Sequence, residues 1–359
     1  MIWFMAPDLP TASGGLMMMY AIAEALDAGG LPATVWHGTP GLRYDTFDSA
    51  APVFHGLEAE LRPGDLLVLA ETGGPKWQFL AAGAPVVMLC QGYTFAYQFL
   101  TPQTPVEPGY PGWPNVRAVV ATSDYIAAVV GRLSGDLPVH RVPVLVDDTV
   151  FRPAAKQRVV AYMPRRRRTD IEGALQLLRR TGTPAGWEFV AIEGATRAEV
   201  AEILGRAAIY LSGAERDGFG LPGAEAMAAG CHVVGFTGTG GAEYLRADTA
   251  SVVHDDDVLA LADALDAAIR AYDSGADWFA ERTARGRDLV RNRYAPEVFA
   301  REVRASFGTL LAPDSAAVLT EPIRVQHYQA HAPATGWWPT AYRGARRLAR
   351  RTLTALRRP

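Results

Sequence analysis

Cysteine is nearly absent: Cys90 and Cys231 are the only two in 359 residues. Two thiols in a chain of this length give no disulfide framework and fit a reducing compartment. Cysteine and histidine are not grouped at zinc-ligand spacing, so no metal site is expected. Long apolar runs are also missing. No stretch reaches the roughly twenty apolar residues that a membrane-spanning helix needs. The start, MIWFMAPDLP, has no basic region and no cleavage site, and reads as a first core strand rather than a signal peptide. These absences point to a cytoplasmic protein. Acidic residues stop at Glu321. Beyond it the charged side chains are all arginine: Arg324, Arg343, Arg346, Arg347, Arg350, Arg351, Arg357 and Arg358. The formal net charge is −3, so without those eight arginines the remainder stands at −11. An acidic body argues against nucleic acid as a partner.

What is present is globular: 49% apolar and 20% charged residues, in a length that suits two domains. Apolar runs at residues 2–6, 34–36, 66–70, 86–89 and 118–121 read as buried strands, with helical stretches between several of them. Strands alternating with helices imply a parallel sheet covered on both faces, whose ligands sit at the carboxyl ends of the strands. Glu71 and Gln91-Gly92-Tyr93 fall at such ends. They read equally as substrate-facing groups or as polar loop residues in water. Gly14-Gly15, behind a helix cap at Ser13, suit a phosphate or simply a flexible cap. Residues 103–115 form a Pro/Gly-rich lid or surface loop. The alternation restarts after a linker near residue 148, with strands expected at 159–163, 189–192 and 208–211.

The stretch that organises the second half is LSGAERDGFGLPGAEAMAAGCHVVGFTGTGGAEYL, from Leu211 to Leu245. It reads as strand, glycine loop, short helix, strand and second glycine loop. Pro222 suits the first turn of the helix and Gly230 its end. The free N–H groups at that helix start make a site for an anion or a row of hydroxyls. Asp217 precedes the loop and Glu225, eight positions later, is expected in the first turn of the helix. A carboxylate accepts two hydrogen bonds at once and can hold both hydroxyls of a ribose or hexose. Glu225 also has a plain reading, as an acid complementing the helix dipole. Gly218 to Gly223 fits the dinucleotide fingerprint G-x-G-x-x-G, but the following strand ends Val234-Gly235-Phe236-Thr237 without the ribose-binding acid. An NAD-linked enzyme is therefore a minor alternative. Arg165 to Arg168 follow the strand VVAYM and place guanidinium groups where a diphosphate would sit. Drawn as a helix, residues 341–358 put Ala341, Ala345, Leu348, Ala349, Leu353 and Leu356 on one side and seven arginines on the other. With Trp337-Trp338 this suits an anionic membrane surface; a helix docked on the acidic body or another subunit is the alternative.

ERDGFGLPGAEAMAAGCHVVGF resembles the E-x7-E stretch of retaining GT-B glycosyltransferases, similar to glycosyltransferase family 4. Gly14-Gly15, VPVLVDDTVFRP and the arginines after VVAYMP support the resemblance, which spans most of residues 1 to about 310. It implies an α/β fold of two Rossmann-like domains with parallel sheets facing across a cleft. The acceptor-side domain would be 1–148, the nucleotide-sugar domain 149–312, and 313–359 a basic extension with an amphipathic helix. It implies transfer of a sugar from a nucleotide diphosphate sugar to a glycan or lipid-linked acceptor with retention, without a metal or other cofactor. Asp217 matches the acid near the reacting carbon, with Arg165 as its catalytic partner. Glu225 matches the ribose-binding glutamate. Gly14, Gly15, Arg165, Arg168, Gly218, Phe219, Gly220 and Leu221 would complete the nucleotide-sugar site. The departures are Asp217 in place of glutamate, Asp170 at the usual lysine, and Cys90-Gln91-Gly92 where a histidine is often found. An inactive GT-B-like scaffold is the alternative reading. The basic tail adds an expected peripheral contact with the inner membrane face.

Overall fold

The computed structural model describes residues 1–331 apart from 46, 75–77, 79, 82, 183 and 184. The arginine-rich stretch 341–358 and Trp337-Trp338 lie outside the described residues.

The chain builds two parallel sheets. In order, it forms β1 (Ile2–Met5), α1 (Gly14–Ala28), β2 (Ala33–His37), β3 (Val53–His55), β4 (Glu58–Leu61), β5 (Leu66–Ala70), β6 (Val86–Cys90), β7 (Val116–Ala121), α2 (Asp124–Ser134) and β8 (Val139–Arg141). The first sheet has the order β3-β2-β1-β5-β6-β7-β8, with every neighbouring pair parallel. Its central strands are apolar throughout, as LLVLA in β5 and VVMLC in β6 show, because both faces are covered. Ser13 caps α1 through the N–H of Leu16 at 3.2 Å, and Ser123 caps α2 through Ile126 at 3.1 Å. Within residues 103–115, Tyr110 and Trp113 are buried and form an isolated bridge that pins the Pro/Gly-rich loop.

The second sheet comes from β9 (Gln157–Tyr162), α3 (Arg168–Thr181), β10 (Glu188–Ala191), α4 (Arg197–Arg206), β11 (Ala207–Asp217), α5 (Leu221–Ala228), β12 (His232–Thr239) and β13 (Ser251–Val252). Its order is β10-β9-β11-β12-β13, again all parallel. Reversal of strand order leaves a crevice at the carboxyl ends of β9 and β11, where arginines 165–168 and Asp217 emerge. Three helices follow: α6 (Val258–Ser274), α7 (Asp277–Tyr294) and α8 (Pro296–Leu310). No described helix is long and apolar enough to cross a membrane.

The chain then returns to the first sheet, which the sequence reading does not anticipate. Helix α8, read there with the second unit, packs on α1, with Phe307 fully buried and its ring 5.6 Å from Phe4. Beyond it, β14 (Ile323–Gln326) pairs antiparallel with β4. Alternate residues Ala59, Leu61 and Val325 turn inward, while Glu58, Glu60 and Arg324 face out. His327 closes this strap. Its Nε2–H donates to the carbonyls of Ala6 at 2.8 Å and Trp36 at 3.2 Å, and its Nδ1 accepts the N–H of Gln329 at 3.1 Å. That pattern requires the neutral ring, and burial pushes its pKa down to match.

Candidate active site

Strand β11 is long because its last residues, Ala214 to Asp217, run past the sheet and stay paired with the end of β12. The chain then turns through Gly218-Phe219-Gly220 into α5. Gly220 caps the helix in the left-handed region, φ +85°, which only glycine adopts without cost. No side chain caps the helix start, so its N–H groups remain directed outward. The Phe219 side chain is buried between Tyr244 and Tyr294, at ring distances of 5.1 and 4.9 Å, and leaves only its backbone to the site. The Tyr244 hydroxyl donates to the Gly220 carbonyl and so fixes the turn.

Both acids lie at this turn. The Asp217 carboxylate meets Arg166 at 3.1 Å, and burial raises its pKa against the pull of that guanidinium. Glu225 is partly buried, and its carboxylate makes no hydrogen bond among the described residues. Burial pushes its pKa up to about 7, with Arg197 pulling weakly the other way. The two acids share one neighbourhood, since both raise the pKa of Tyr210 and of Tyr244. An unpartnered carboxylate held near neutrality beside uncapped N–H groups is poised to receive hydroxyl donors.

The four arginines separate. Arg165 is exposed, acts on Asp217 at a distance, and makes no ion pair among the described residues. Arg166 takes Asp217 and also donates to the Glu215 carbonyl at 2.8 Å. Arg167 turns inward over the Phe236 ring, 4.8 Å from its centre, and is bound by Asp170, Asp255 and Asp256. Arg168 starts α3 and is engaged by Glu172 and Glu193. The structure thus brings Arg165 and Arg166 to Asp217. It leaves Arg167 and Arg168 on acidic partners of their own. A run of four arginines cannot show this division, because it depends on where α3 begins.

From the first half, Gly14 faces the turn and Gly15 faces Gln91. A Cβ built on Gly14 would lie 3.8 Å from Leu221, and one on Gly15 would lie 3.5 Å from the Gln91 side chain. Gln91 bonds back to the Gly15 carbonyl at 3.0 Å. Closest of all, a Cβ on Gly218 would stand 2.0 Å from the Gln91 carbonyl oxygen. The two halves therefore meet backbone to backbone here. Glu243, just beyond β12, is a residue the sequence reading misses. It accepts the N–H of Asp124 at 2.7 Å, Arg141 at 2.7 Å and the Tyr294 hydroxyl at 3.0 Å, and so ties the second glycine loop to the start of α2. Its partners are more than a hundred positions away or on other elements, so no local pattern marks it.

Glu71, at the end of β5, is fully enclosed. Its Oε1 accepts the N–H groups of Gln91 and Gly92, each at 2.7 Å, while its Oε2 is buried without a partner. Burial raises its pKa to about 7. An acid with a raised folded pKa keeps its proton between pH 4.5 and 7 when folded and loses it when unfolded. Stability therefore falls as pH rises through that window, by roughly 3 kcal/mol for this shift. Glu71→Gln keeps an acceptor for both N–H groups and carries no charge. Urea unfolding at pH 5 and pH 8 should show the variant gaining about 1–3 kcal/mol over the wild type at pH 8 only; an equal change at both pH values would count against an ionised, buried Glu71.

Three comparisons bear on this geometry. Residues 129–271, from within α2 to α6, match the family described as glycosyl transferases group 1. An alpha-1,6-glucosyltransferase of Actinobacillus pleuropneumoniae is 34% identical over 128 residues, covering 34% of this chain and 38% of that protein. The match thus spans under two fifths of the curated relative's length. Among solved structures, the sucrose-phosphate synthase of Thermosynechococcus elongatus aligns with a TM-score of 0.61 at 16% identity, over 87% of this chain and 99% of that one. Anabaena HepE in complex with UDP and glucose aligns with a TM-score of 0.56 at 12% identity, over 86% and 99%. At such identities the structural likeness speaks for the fold. The sequence match falls on the half that contains both acids and the uncapped helix start. The protein therefore has the GT-B fold, and its residues 129–271 are similar to the group 1 glycosyltransferases.

Proposed function

We propose that the protein transfers a sugar from a nucleotide diphosphate sugar to a glycan or lipid-linked acceptor, with retention of configuration. The observation that carries this reading is the pair Asp217 and Glu225 on either side of the start of α5, with the Glu225 carboxylate unpartnered and Arg165 unpaired among the described residues. In this reading Glu225 accepts both ribose hydroxyls. The N–H groups of Gly220 and Leu221, with Arg165, hold the diphosphate, and Gly14 and Gly15 leave room for it from the opposite side. As the bond from the sugar carbon to the diphosphate oxygen breaks, negative charge grows on that oxygen and positive charge on the sugar. Fixed donors and a guanidinium stabilise the first. Asp217, ionised against Arg166, stabilises the second. For retention the acceptor oxygen bonds on the face from which the diphosphate departs. The departing phosphate oxygen is then the nearest base for the acceptor proton. This assigns most of the rate to positioning and electrostatics.

UDP-glucose is the first donor to test, because one relative is named a glucosyltransferase and one structural neighbour holds UDP and glucose. Calorimetry with UDP-glucose and a UDP-release assay test the reading; absence of binding by UDP, GDP, dTDP and ADP alike would end it. The lipid-linked option is supported by the path of the C-terminal strap. Gln329 and His327 lie against Gly38, just past the end of β2, so the last described residues stand at the carboxyl edge of the first sheet. Cosedimentation with vesicles of one-third phosphatidylserine, but not with pure phosphatidylcholine, is expected at low salt, and deletion of residues 332–359 should remove it. Equal sedimentation with and without those residues would contradict a membrane role for them.

A further inference from the structure

Beside the two acids lies an aromatic group that the donor site does not use. Tyr93 is buried, and its hydroxyl reaches Thr239 Oγ1 across the cleft at 3.4 Å. Thr239 is the strand partner of Asp217. Around Tyr93 stand Tyr125, with ring centres 4.9 Å apart and nearly perpendicular, and Tyr97 at 6.3 Å. These two are 41% and 39% exposed, and neither hydroxyl makes a hydrogen bond among the described residues. Tyr125 adjoins Ile126, whose side chain is 3.0 Å from where a Gly218 Cβ would stand. Tyr97 feels the charge of Arg216, the residue before Asp217. Arg216 is exposed, makes no ion pair among the described residues, and sits at φ +48°, a left-handed conformation that is costly for a side-chain-bearing residue.

We propose that Tyr97 and Tyr125, braced by Tyr93, form the acceptor subsite and stack against the terminal pyranose ring of a glycan acceptor. The inference rests on the glycosyltransferase reading and deepens it. A pyranose presents a face of C–H groups to an aromatic ring and a rim of hydroxyls to polar groups. The patch supplies both: open tyrosine faces, two phenol hydroxyls without partners, and the Arg216 guanidinium. A hydrocarbon chain would use the faces and leave those polar groups unsatisfied. Its continuity with Asp217 through Thr239 and Arg216 places the acceptor hydroxyl beside the donor carbon. Strain at Arg216 is explained if its side chain must turn toward the acceptor while Asp217 turns toward Arg166.

The test measures UDP release by the full chain from UDP-glucose, with methyl α- and β-glucopyranoside, galactopyranoside and rhamnopyranoside as acceptors. At least one glycoside should accelerate release over water. Tyr97→Ala and Tyr125→Ala should each raise its half-saturating concentration about five- to tenfold, while half-saturation by UDP-glucose moves less than twofold. Tyr97→Phe, which keeps the ring face, should recover most of the loss. Melting curves check that these exposed substitutions leave the fold intact. Unaltered glycoside half-saturation in both alanine variants overturns the subsite. So does a wild type that hydrolyses UDP-glucose but is accelerated by decanol and by no glycoside. A wild type that binds no nucleotide sugar at all is a different failure, since it removes the glycosyltransferase reading on which the subsite rests.

Discussion

Glu225→Ala is expected to lower kcat/KM for the nucleotide sugar by about a thousandfold, with no loss of stability. Two hydrogen bonds from ribose hydroxyls to a carboxylate are each worth about 1.5–3 kcal/mol, and their loss leaves the ribose facing an apolar wall. Removing a partly buried carboxylate that has no hydrogen-bond partner among the described residues takes away a destabilising charge, so the melting temperature should hold or rise. The pH dependence gives a second signature. Only the ionised carboxylate accepts both hydroxyls, and its pKa in the empty site is about 7. Binding therefore expels a proton below pH 7. Nucleotide affinity should weaken as pH falls through 7, by up to tenfold per pH unit. Glu225→Gln should bind more weakly and show a flatter profile. An isothermal titration series from pH 5.5 to 8.5 in two buffers of different ionisation enthalpy reads both affinity and proton release. A wild-type affinity independent of pH would contradict the assigned role.

Gly218→Ala is the second large effect. The added methyl would overlap the Gln91 carbonyl, with 2.0 Å between atom centres. Neither atom belongs to a side chain that could swing away, so the relief must come from movement of one half against the other. Displacement of about 1 Å in a reacting geometry costs on the order of a hundredfold in rate. Turnover should fall by that factor while each sheet stays folded. Gly240→Ala makes a useful contrast. Its methyl would meet the Gly218 carbonyl at the same 2.0 Å, but within the second half. It should therefore lower stability as well as rate. Small-angle scattering with saturating UDP distinguishes the two: the Gly218 variant should be the larger particle, and both should be compact. Full turnover in Gly218→Ala would show that this approach of the halves is not part of the active state.

Much of this arrangement is legible in the sequence because its signals are local. The apolar strands β1, β5, β6, β9 and β11, the caps Ser13 and Ser123, and the short helix opened by Pro222 lie where the pattern places them, whereas Glu225 falls in the second turn of that helix and not the first. The misses are non-local. Strand β14, with the sequence IRVQ, finds its partner β4, EAEL, more than 250 positions away, and both alternate too briefly to stand out. Glu243 looks like a loop acid until α2 and Arg141 arrive beside it. Arg165 and Arg166 are separated from Arg167 and Arg168 by one structural fact, the left-handed Arg167 that precedes α3 and turns its side chain inward. Tyr97 and Tyr125 gain meaning only when Tyr93 crosses the cleft to Thr239.

The most direct measurement of the central claim is a calorimetric titration of UDP into the wild type and into Glu225→Ala at pH 8. The expected result is saturable one-site binding by the wild type and about a hundredfold or greater loss in the variant, with unchanged melting of the empty protein. Equal affinity in the two proteins would contradict the claim that the carboxylate beside the uncapped helix start grips the nucleotide.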